Sequence, residues 1–374
     1  MAKRKYVRTR SLKDGMRIDQ SIVDRSGRVL IRRGTLLDEF MISAMLKRGI
    51  GGVYIGDGED DLVPDNNNSG TNPEQIVIPE KTKQIVAMNR VIDKKKVRLS
   101  ESVKERVGEG IRFLYANTED SNFTSATNNI ADDLMKAILE NDAIAVDVDA
   151  LKVSDEYTFK HSVDVAAMAM VIGKRYGLSE KQVYELGIAG LLHDVGKSKI
   201  PNEVLNKPGR LTDEEFKIIK DHSLFGYNIL KGKNDINDHI RLGVLQHHEK
   251  INGQGYPMAV PGDRICPYAR ILSIVDIYDA LITERPYKAA FSKRDAVEML
   301  MAMTDELDID MMSAFLNSVI LYPVDSIVSL SNGEMAKVVA NSPGYPLRPK
   351  VVEIATGAVY DLAGDIKCAS IVIA

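Results

Sequence analysis

The sequence predicts a multidomain, mainly α-helical protein with a small α+β module at its N-terminus and a short β-rich extension at its C-terminus. Between residues 83 and 321, apolar side chains recur at helical spacing. Near the N-terminus, apolar and polar residues alternate around glycine-containing turns, which is typical of short hairpins. Near the C-terminus, Asn332 and Gly333 separate two apolar runs, and this is a strong hairpin signal. The central domain is therefore expected to be a helical bundle.

These changes of pattern divide the chain into five segments. The segment 57–82 includes a stretch rich in Asp, Asn, Gly and Pro without any period, and we interpret it as a flexible linker. The predicted segments are the N-terminal module 1–56, the linker 57–82, a helical connector 83–150, the main helical domain 151–321 and the β-rich extension 322–374. No residue of the module indicates a ligand, and we expect it to serve regulation or oligomerisation.

Composition excludes several classes of protein. The 374 residues are 44% hydrophobic and 27% charged, as in ordinary soluble globular proteins. The net charge of -4 argues against a general nucleic-acid or anionic-membrane binder. No window approaches the roughly 18 apolar residues of a membrane span, and no apolar segment follows the basic start. A cytoplasmic protein is expected, with Cys266 and Cys368 as reduced, partly buried thiols.

Histidines and aspartates on the predicted helices form the chemical signal of the sequence. Imidazoles with a few carboxylates on a helical scaffold match a dinuclear site for iron, manganese or zinc. The candidate residues are His161, His193, Asp194, His222, His247, His248, Asp276 and Asp279. His239 has no comparable partner in its segment, and we expect it on the surface.

The carboxylates strengthen this interpretation. Asp276 and Asp279 lie one turn apart on an otherwise apolar helix, where an unpaired buried charge would be costly. Asp194 directly follows His193 and could offer one oxygen to each of two metals, which a histidine cannot. A histidine such as His161, taken alone, would more often be a core or capping residue than a metal ligand. Its assignment as a ligand therefore depends on the other candidate histidines and aspartates.

These motifs resemble a known family. His161, the His193–Asp194 pair and Asp276 stand in the order H…HD…D of the HD phosphohydrolase superfamily. The stretches HDVGK and HHEKINGQGYP narrow the resemblance to the HD-GYP family, over residues 152 to 288. The resemblance implies an HD-type helical bundle and a bacterial phosphodiesterase. Such an enzyme opens cyclic di-GMP to pGpG, and in some members proceeds to GMP, with a water bridging two metals.

The resemblance also implies a role for each matching residue. His161, His193, Asp194 and Asp276 would hold one metal, and Asp194 would bridge to a second held by His222, His247 and His248. Two divalent ions are expected, with iron favoured over manganese or another transition metal. Lys197 is expected to steady the phosphate or the leaving oxygen, and Arg285 and Lys288 to bind phosphate. Asp279 is expected to support a ligand or contact the substrate.

Two positions depart from the family pattern. Tyr157 stands where some members carry a glutamate that recruits a third metal, so the sequence predicts two metals. Asn252 replaces the usual aspartate of the GYP block and keeps its turn propensity without its charge. In the same block, Glu249 is expected to orient a ligand. The resemblance further implies a protein partner, such as a diguanylate cyclase domain, at the loop Gly253–Pro257, and a homodimer is among the expected assemblies.

Three alternatives to cyclic di-GMP hydrolysis follow from the same residues. Some relatives hydrolyse cyclic GMP-AMP, and the sequence does not decide between the bases. An inactive receptor for the dinucleotide would belong to a different class, and the intact set of ligand residues argues against it. A hydrolase for dNTP or (p)ppGpp would share the HD pattern, and the GYP block argues against that.

Overall fold

The computed structural model describes most of the chain. The described residues are 5–13, 22–23, 29–31, 52–55, 78–93, 101–140, 157–207, 209–283, 290–373 and single positions or pairs between 16 and 46. The chain divides into two compact units, Met1–Ile76 and Val77–Ala374.

Short antiparallel strand pairs define the described part of the first unit. The strands are β1 (Lys5–Arg8), β2 (Ile22–Val23), β3 (Val29–Ile31) and β4 (Gly52–Ile55). β1 pairs with β4, and β2 pairs with β3. A small apolar core lies beneath them, with Ile18, Leu37 and Met45 almost fully buried. The segments predicted as strands thus supply the pairs, and the two ends of the module meet in β1 and β4.

Helices make up most of the second unit, as the sequence predicts. They are α1 (Glu80–Asn89), α2 (Glu101–Ala116), α3 (Phe123–Glu140), α4 (Tyr157–Tyr176), α5 (Glu180–Leu192), α6 (Asn202–Leu205), α7 (Asp213–Lys220), α8 (His222–Lys231), α9 (Asp238–Gln246), α10 (Pro267–Ile282), α11 (Lys293–Met301) and α12 (Ile309–Ser318). A single large apolar core joins α2–α5 with α8–α12, and the rings of Tyr278 and Phe315 are in contact within it. The predicted mainly helical class is confirmed.

The closest helix pair of this core is α4 with α5. A Cβ added at Gly190 would lie 2.7 Å from the Cα of Ala166, and one added at Gly187 would meet the Met170 side chain. Small residues therefore let the two backbones approach closely. These contacts also show that the helices run antiparallel, which brings the start of α4 beside the end of α5.

The C-terminal segment forms a four-stranded antiparallel sheet in the order β5-β6-β7-β8. The strands are β5 (Ile327–Ser329), β6 (Met335–Ala340), β7 (Lys350–Glu353) and β8 (Val359–Asp361). Gly333 and Gly357 have φ values of 84° and 78° in the two outer turns, a region that glycine enters without strain. The hairpin predicted at Asn332 and Gly333 is confirmed.

The predicted linker boundary at residue 82 falls inside a helix. α1 begins at Glu80, directly after Pro79, and packs on the C-terminal sheet through Val86, which contacts Val339 and Val352. Arg90 pairs with Asp325 at 2.6 Å, and the Val91 amide donates to the Val339 carbonyl. These partners are far away in sequence, so local composition could not indicate that α1 packs on the C-terminal sheet.

Among the described residues, no helix combines the length and the apolar character that crossing a bilayer requires.

Candidate metal centre

The candidate ligands lie at helix ends and on two long helices of the main unit. His161 is in the first turns of α4, and Asp276 is near the middle of α10. His193 and His247 are the residues that end α5 and α9, and His222 is the first residue of α8. Since α4 and α5 are antiparallel, His161 and His193 meet at the same end of the pair. The fold therefore brings ligands from distant segments into one buried site.

Hydrogen bonds to backbone carbonyls fix the orientation of three of these histidines. The Nδ1 atom of His193 donates to the Gly190 carbonyl at 2.8 Å, and that of His247 to the Val244 carbonyl at 2.8 Å. The Nδ1 atom of His222 donates to the Ile219 carbonyl at 2.7 Å. A carbonyl can only accept, so each ring carries its proton on Nδ1 and presents a lone pair at Nε2.

A carboxylate takes the place of the carbonyl at His161. The Nδ1 atom of His161 lies 2.6 Å from the Asp279 carboxylate, which is only 1% exposed. Thr283 donates a longer hydrogen bond to the same carboxylate oxygen. Asp279 thus fixes the His161 ring through its Nδ1 atom, on the side opposite Nε2. The sequence left two roles open for Asp279, support of a ligand and contact with the substrate. This contact agrees with the first.

A glycine allows the turn after His193 to reach the next helix. The 3₁₀ turn Val195–Lys199 packs against the start of α8, and a Cβ at Gly196 would lie 1.9 Å from the His222 carbonyl oxygen. Any larger residue would push the two segments apart. Gly196 therefore brings Asp194 and His222 into reach of one another.

The first cluster consists of His161, His193 and Asp276. The Nε2 atom of His161 lies 3.0 Å from an Asp276 oxygen and 3.3 Å from the Nε2 atom of His193. The second cluster consists of His222, His247 and His248. The Nε2 atoms of His222 and His247 are 3.2 Å apart. In each cluster the ligand atoms lie within 4.8 Å of one another, as a metal ion requires.

Asp194 joins the two clusters. One of its oxygens lies 3.3 Å from the Nε2 atom of His193, and the other lies 3.4 Å from the Nε2 atom of His222. His193, Asp194 and His247 form a third group within the same 4.8 Å limit. The Asp194 carboxylate is 2% exposed and faces both clusters, so it could serve two metals at once.

The chemistry of the donor atoms fits bound cations. His222 and His247 both use Nδ1–H to satisfy a carbonyl, so their close Nε2 atoms present lone pairs to each other. Two acceptors at 3.2 Å without a proton between them repel. A cation shared by the two lone pairs would turn this repulsion into attraction.

Charge states in the site suit metal binding as well. Burial would raise the pKa of Asp194, but the Lys197 ammonium and His193 hold it well below its usual value. Burial lowers the pKa of His222, His247 and His248, the last to about 3. The Asp194 carboxylate is therefore ionised and these three imidazoles are neutral near pH 7, which are the forms that bind metals.

His161 is the exception in the metal-free site. Burial lowers its pKa, but hydrogen bonds to Asp276 and Asp279 outweigh burial and raise the pKa to about 10. The proton on Nε2 occupies the position that a metal would take, so metal binding at this cluster displaces a proton.

Comparison with known proteins finds a family model that matches the residues of this site. Residues 145–312 match the model of the HD domain family. The chain contains an HD domain. The resemblance to the HD-GYP family is confirmed, and the ligand clusters all lie within the matched residues.

Several named proteins are similar to part of this chain. A cyclic di-GMP phosphodiesterase of Pseudomonas aeruginosa, PA4108, is 33% identical over 228 residues, which are 61% of this chain and 55% of the relative. The cyclic di-GMP phosphodiesterase response regulator RpfG of Xanthomonas campestris is 40% identical over 37% of each chain. A 3′3′-cGAMP-specific phosphodiesterase of Vibrio cholerae is 39% identical over 36% of this chain and 29% of the relative. The chain thus spans little more than half the length of the first relative and less of the others.

Lys197 lies beside the carboxylate that joins the clusters of the HD domain. Its ammonium contacts an Asp194 oxygen at 2.5 Å, and its side chain is 29% exposed. The expected cation is therefore adjacent to the centre and already paired with a candidate metal ligand. Arg285, Lys288 and the Tyr157 side chain lie outside the described residues.

Tyr256 contributes to the HD site in a way that the sequence interpretation missed. Its ring stacks on His248 with centroids 4.6 Å apart and also meets the edge of His222. Burial raises the pKa of the Tyr256 hydroxyl, so the ring is neutral at physiological pH. The sequence does contain a signal for this role, because Tyr256 follows His247 and His248 closely. We instead interpreted the loop as an exposed surface for a protein partner.

Glu249 folds the loop that carries Tyr256. One carboxylate oxygen accepts from the amides of Met258 and Ala259 at 2.7 and 3.1 Å, and the other accepts from the Val260 amide at 3.2 Å. It is 3% exposed and acts on the loop backbone, where the sequence predicted that it orients a metal ligand. That prediction was wrong because the loop turns back over Glu249, which only the folded backbone reveals.

Asn252 serves as a turn residue, as predicted. Its side-chain oxygen accepts from the Gln254 amide at 3.0 Å, and Gly253 beside it has a φ of 74°. Its amide nitrogen also donates to Asp305 at 3.4 Å. His239 is exposed, as expected, and belongs to none of the ligand groups found among the described residues.

Proposed function

We propose that this protein is a metal-dependent phosphodiesterase that opens cyclic di-GMP to pGpG. The observation that carries the proposal is the Asp194 carboxylate between two histidine clusters, with one oxygen toward each. Proteins named as cyclic di-GMP phosphodiesterases are 33% and 40% identical to this chain over part of its length, which supports the proposal. The chain covers 55% and 37% of the length of these two relatives.

The proposed centre holds two metals, with iron favoured and manganese the next choice. His161, His193 and Asp276 would hold one, His222, His247 and His248 the other, and Asp194 both. When bound, two such cations make a water nucleophilic at neutral pH and neutralise the charge of the attacked phosphodiester. The count of two rests on Tyr157, a poor ligand at the position of the glutamate that recruits a third metal.

Protein groups around the centre prepare it for this chemistry. Asp279 fixes the ring of His161, so its Nε2 atom points at the first site. The ammonium of Lys197 holds the Asp194 carboxylate in place and adds positive charge where an anionic phosphate would approach. The burial of the histidines keeps bulk water from competing for the ligand atoms.

Hydrolysis of cyclic GMP-AMP is the second candidate. The relative from Vibrio cholerae whose name specifies 3′3′-cGAMP is 39% identical over the matched segment. The metal clusters act on the phosphodiester and not on the bases, so they are compatible with both substrates. A direct comparison of the two substrates has to decide.

The test is a metal count combined with a product assay. The full chain is purified without oxygen, its metals are counted, and its products from cyclic di-GMP and cyclic GMP-AMP are separated by chromatography. We expect two metals per chain and release of pGpG. His247→Ala should lose metal and activity, whereas His239→Ala, which removes an exposed histidine, should keep both. Metal-loaded protein that binds cyclic di-GMP without cleaving it would instead make the chain a receptor.

The remaining expectations stay predictions. They concern the protein partner at the loop Gly253–Pro257, the homodimer, the cytoplasmic location and the phosphate-binding roles of Arg285 and Lys288.

A further inference from the structure

Lys220 lies at the edge of the second histidine cluster, two positions before His222. Its side chain is half-buried, and its ammonium lies 4.7 Å from the centroid of the Phe216 ring and 5.4 Å from that of Tyr256. Aromatic faces attract a cation at such distances. Because Tyr256 stacks directly on His248, the charge of Lys220 is one aromatic ring away from a candidate metal ligand.

This charge has no acidic partner in the described part of the chain. Among those residues, no carboxylate oxygen lies within 4.0 Å of the Lys220 ammonium. Lys197, by contrast, is bound to Asp194. The aromatic rings hold the Lys220 ammonium in position without neutralising it, so its full charge remains for a ligand. Phe216 is 46% exposed, which places this group at the surface beside the centre.

We propose that Lys220 binds the second, uncleaved phosphate of a cyclic dinucleotide while the first lies at the metal clusters. The proposal rests on the function proposed above and names a specificity-determining residue for it. A cyclic dinucleotide carries two phosphodiesters on opposite sides of one macrocycle. When one is held at the histidine clusters, the other remains an anion that is displaced from them and needs its own cation.

The geometry meets that need. An ammonium is a compact charge with three donors, suited to a phosphate that is bound and not attacked. The ammonium lies over the Tyr256 ring, and the same ring stacks on His248. Lys220 would therefore distinguish a substrate with two phosphates from a nucleotide with one.

The test measures binding and turnover in the full, metal-loaded chain. Lys220→Met should weaken binding of cyclic di-GMP, and raise its KM, by about tenfold, because one charge-assisted contact is lost. The value of kcat and the metal content should change less than about twofold. Affinity for 5′-GMP, which has one phosphate, should fall much less than affinity for cyclic di-GMP. Lys220→Arg should restore most of the affinity for the dinucleotide.

Lys217→Met is the matched control, since it removes an exposed lysine from the same helix. An unchanged Kd for cyclic di-GMP in Lys220→Met would overturn the inference, as would an equal loss for 5′-GMP. Loss of metal with a fall in kcat would also overturn it, because Lys220 would then act through His222. Wild-type protein that binds but does not cleave the dinucleotide would refute the proposed activity alone, and the Kd comparison would still decide the role of Lys220.

Discussion

Asp194 is the residue on which both halves of the centre depend. Its two oxygens face His193 and His222 from a buried position, and its ionised state is maintained by Lys197. A neutral histidine at this position could serve only one metal, because one of its two ring nitrogens carries the proton. The carboxylate is therefore a chemical requirement of a dinuclear site, whereas each histidine is one of several similar ligands.

Asp194→Asn tests this requirement with almost no change in shape. The amide keeps one oxygen as a weak ligand, loses the charge and presents an NH₂ group to the second site. We expect kcat for cyclic di-GMP to fall by about a thousandfold or more, with fewer than two metals bound per chain. Steady-state kinetics and metal analysis provide the measurement, and exposed Asp263→Asn is the control. A variant with two metals and near-normal kcat would contradict the bridging role.

Glu249 shows how a single residue can act on the centre through a loop. Glu249→Gln leaves only one acceptor oxygen for the amides of Met258, Ala259 and Val260. We expect looser stacking of Tyr256 on His248 and a fall in kcat/KM of about tenfold, with metal content retained. Kinetics and metal counts would be compared with exposed Glu203→Gln. Loss of metal in Glu249→Gln would point to a ligand role instead.

At the scale of elements, the approach of the Val195–Lys199 turn to α8 sets the distance between the clusters. Gly196→Ala would place a Cβ 1.9 Å from the His222 carbonyl oxygen and 2.4 Å from the Gly226 amide nitrogen, both of which are backbone atoms. We expect a loss of about 3 kcal/mol in unfolding free energy and weaker metal binding. Gly108→Ala has open space for its Cβ and should be neutral or stabilising. Denaturant unfolding of both variants makes the comparison, and equal stabilities would reject the close-packing argument.

The turn between β7 and β8 provides a pH-dependent element away from the metals. Burial would raise the pKa of Glu353, but hydrogen bonds from the Thr356 hydroxyl and the amides of Ala355 and Thr356 lower it below 4.5. A lowered pKa means that this stabilisation is present above about pH 4.5 and is lost as the pH falls further. Glu353→Gln should cost about 1 kcal/mol at pH 7. The difference from wild type should shrink toward pH 3, and a constant difference across that range would contradict the argument.

The ligand residues could be predicted from sequence because each motif has a local signature. His193 with Asp194 ends an apolar helix, and Asp276 interrupts another, so burial and charge together indicate chemistry. The contacts of Glu249 could not be predicted, since its partners lie nine to eleven residues onward and depend on the path of the loop. The docking of α1 on the C-terminal sheet was equally hidden, because Arg90 and Asp325 meet only through the tertiary fold.

At the scale of the whole molecule, metals bound at the centre would also stabilise the fold. Its ligands come from α4, α8 and α10 and from the segments that end α5 and α9, so bound metals would tie five parts of the helical core together. In the metal-free protein, close Nε2 atoms with lone pairs and a protonated His161 face each other in a buried space. Metal binding to the folded chain therefore replaces repulsion with coordination.

Removal of the metals should lower the stability of the main unit. A ligand that binds only the folded state stabilises it by about 2.7 kcal/mol at a free concentration of one hundred times Kd, so two sites predict a loss of about 5 kcal/mol. The metal-loaded chain, the chain dialysed against chelator and the chain reloaded afterwards are compared by calorimetry. We expect a decrease in Tm of several degrees that reloading reverses, and a much smaller decrease in Asp194→Asn. If Tm stays the same after both metals have been removed, the five elements are held by apolar packing alone, and the centre serves chemistry without stabilising the fold.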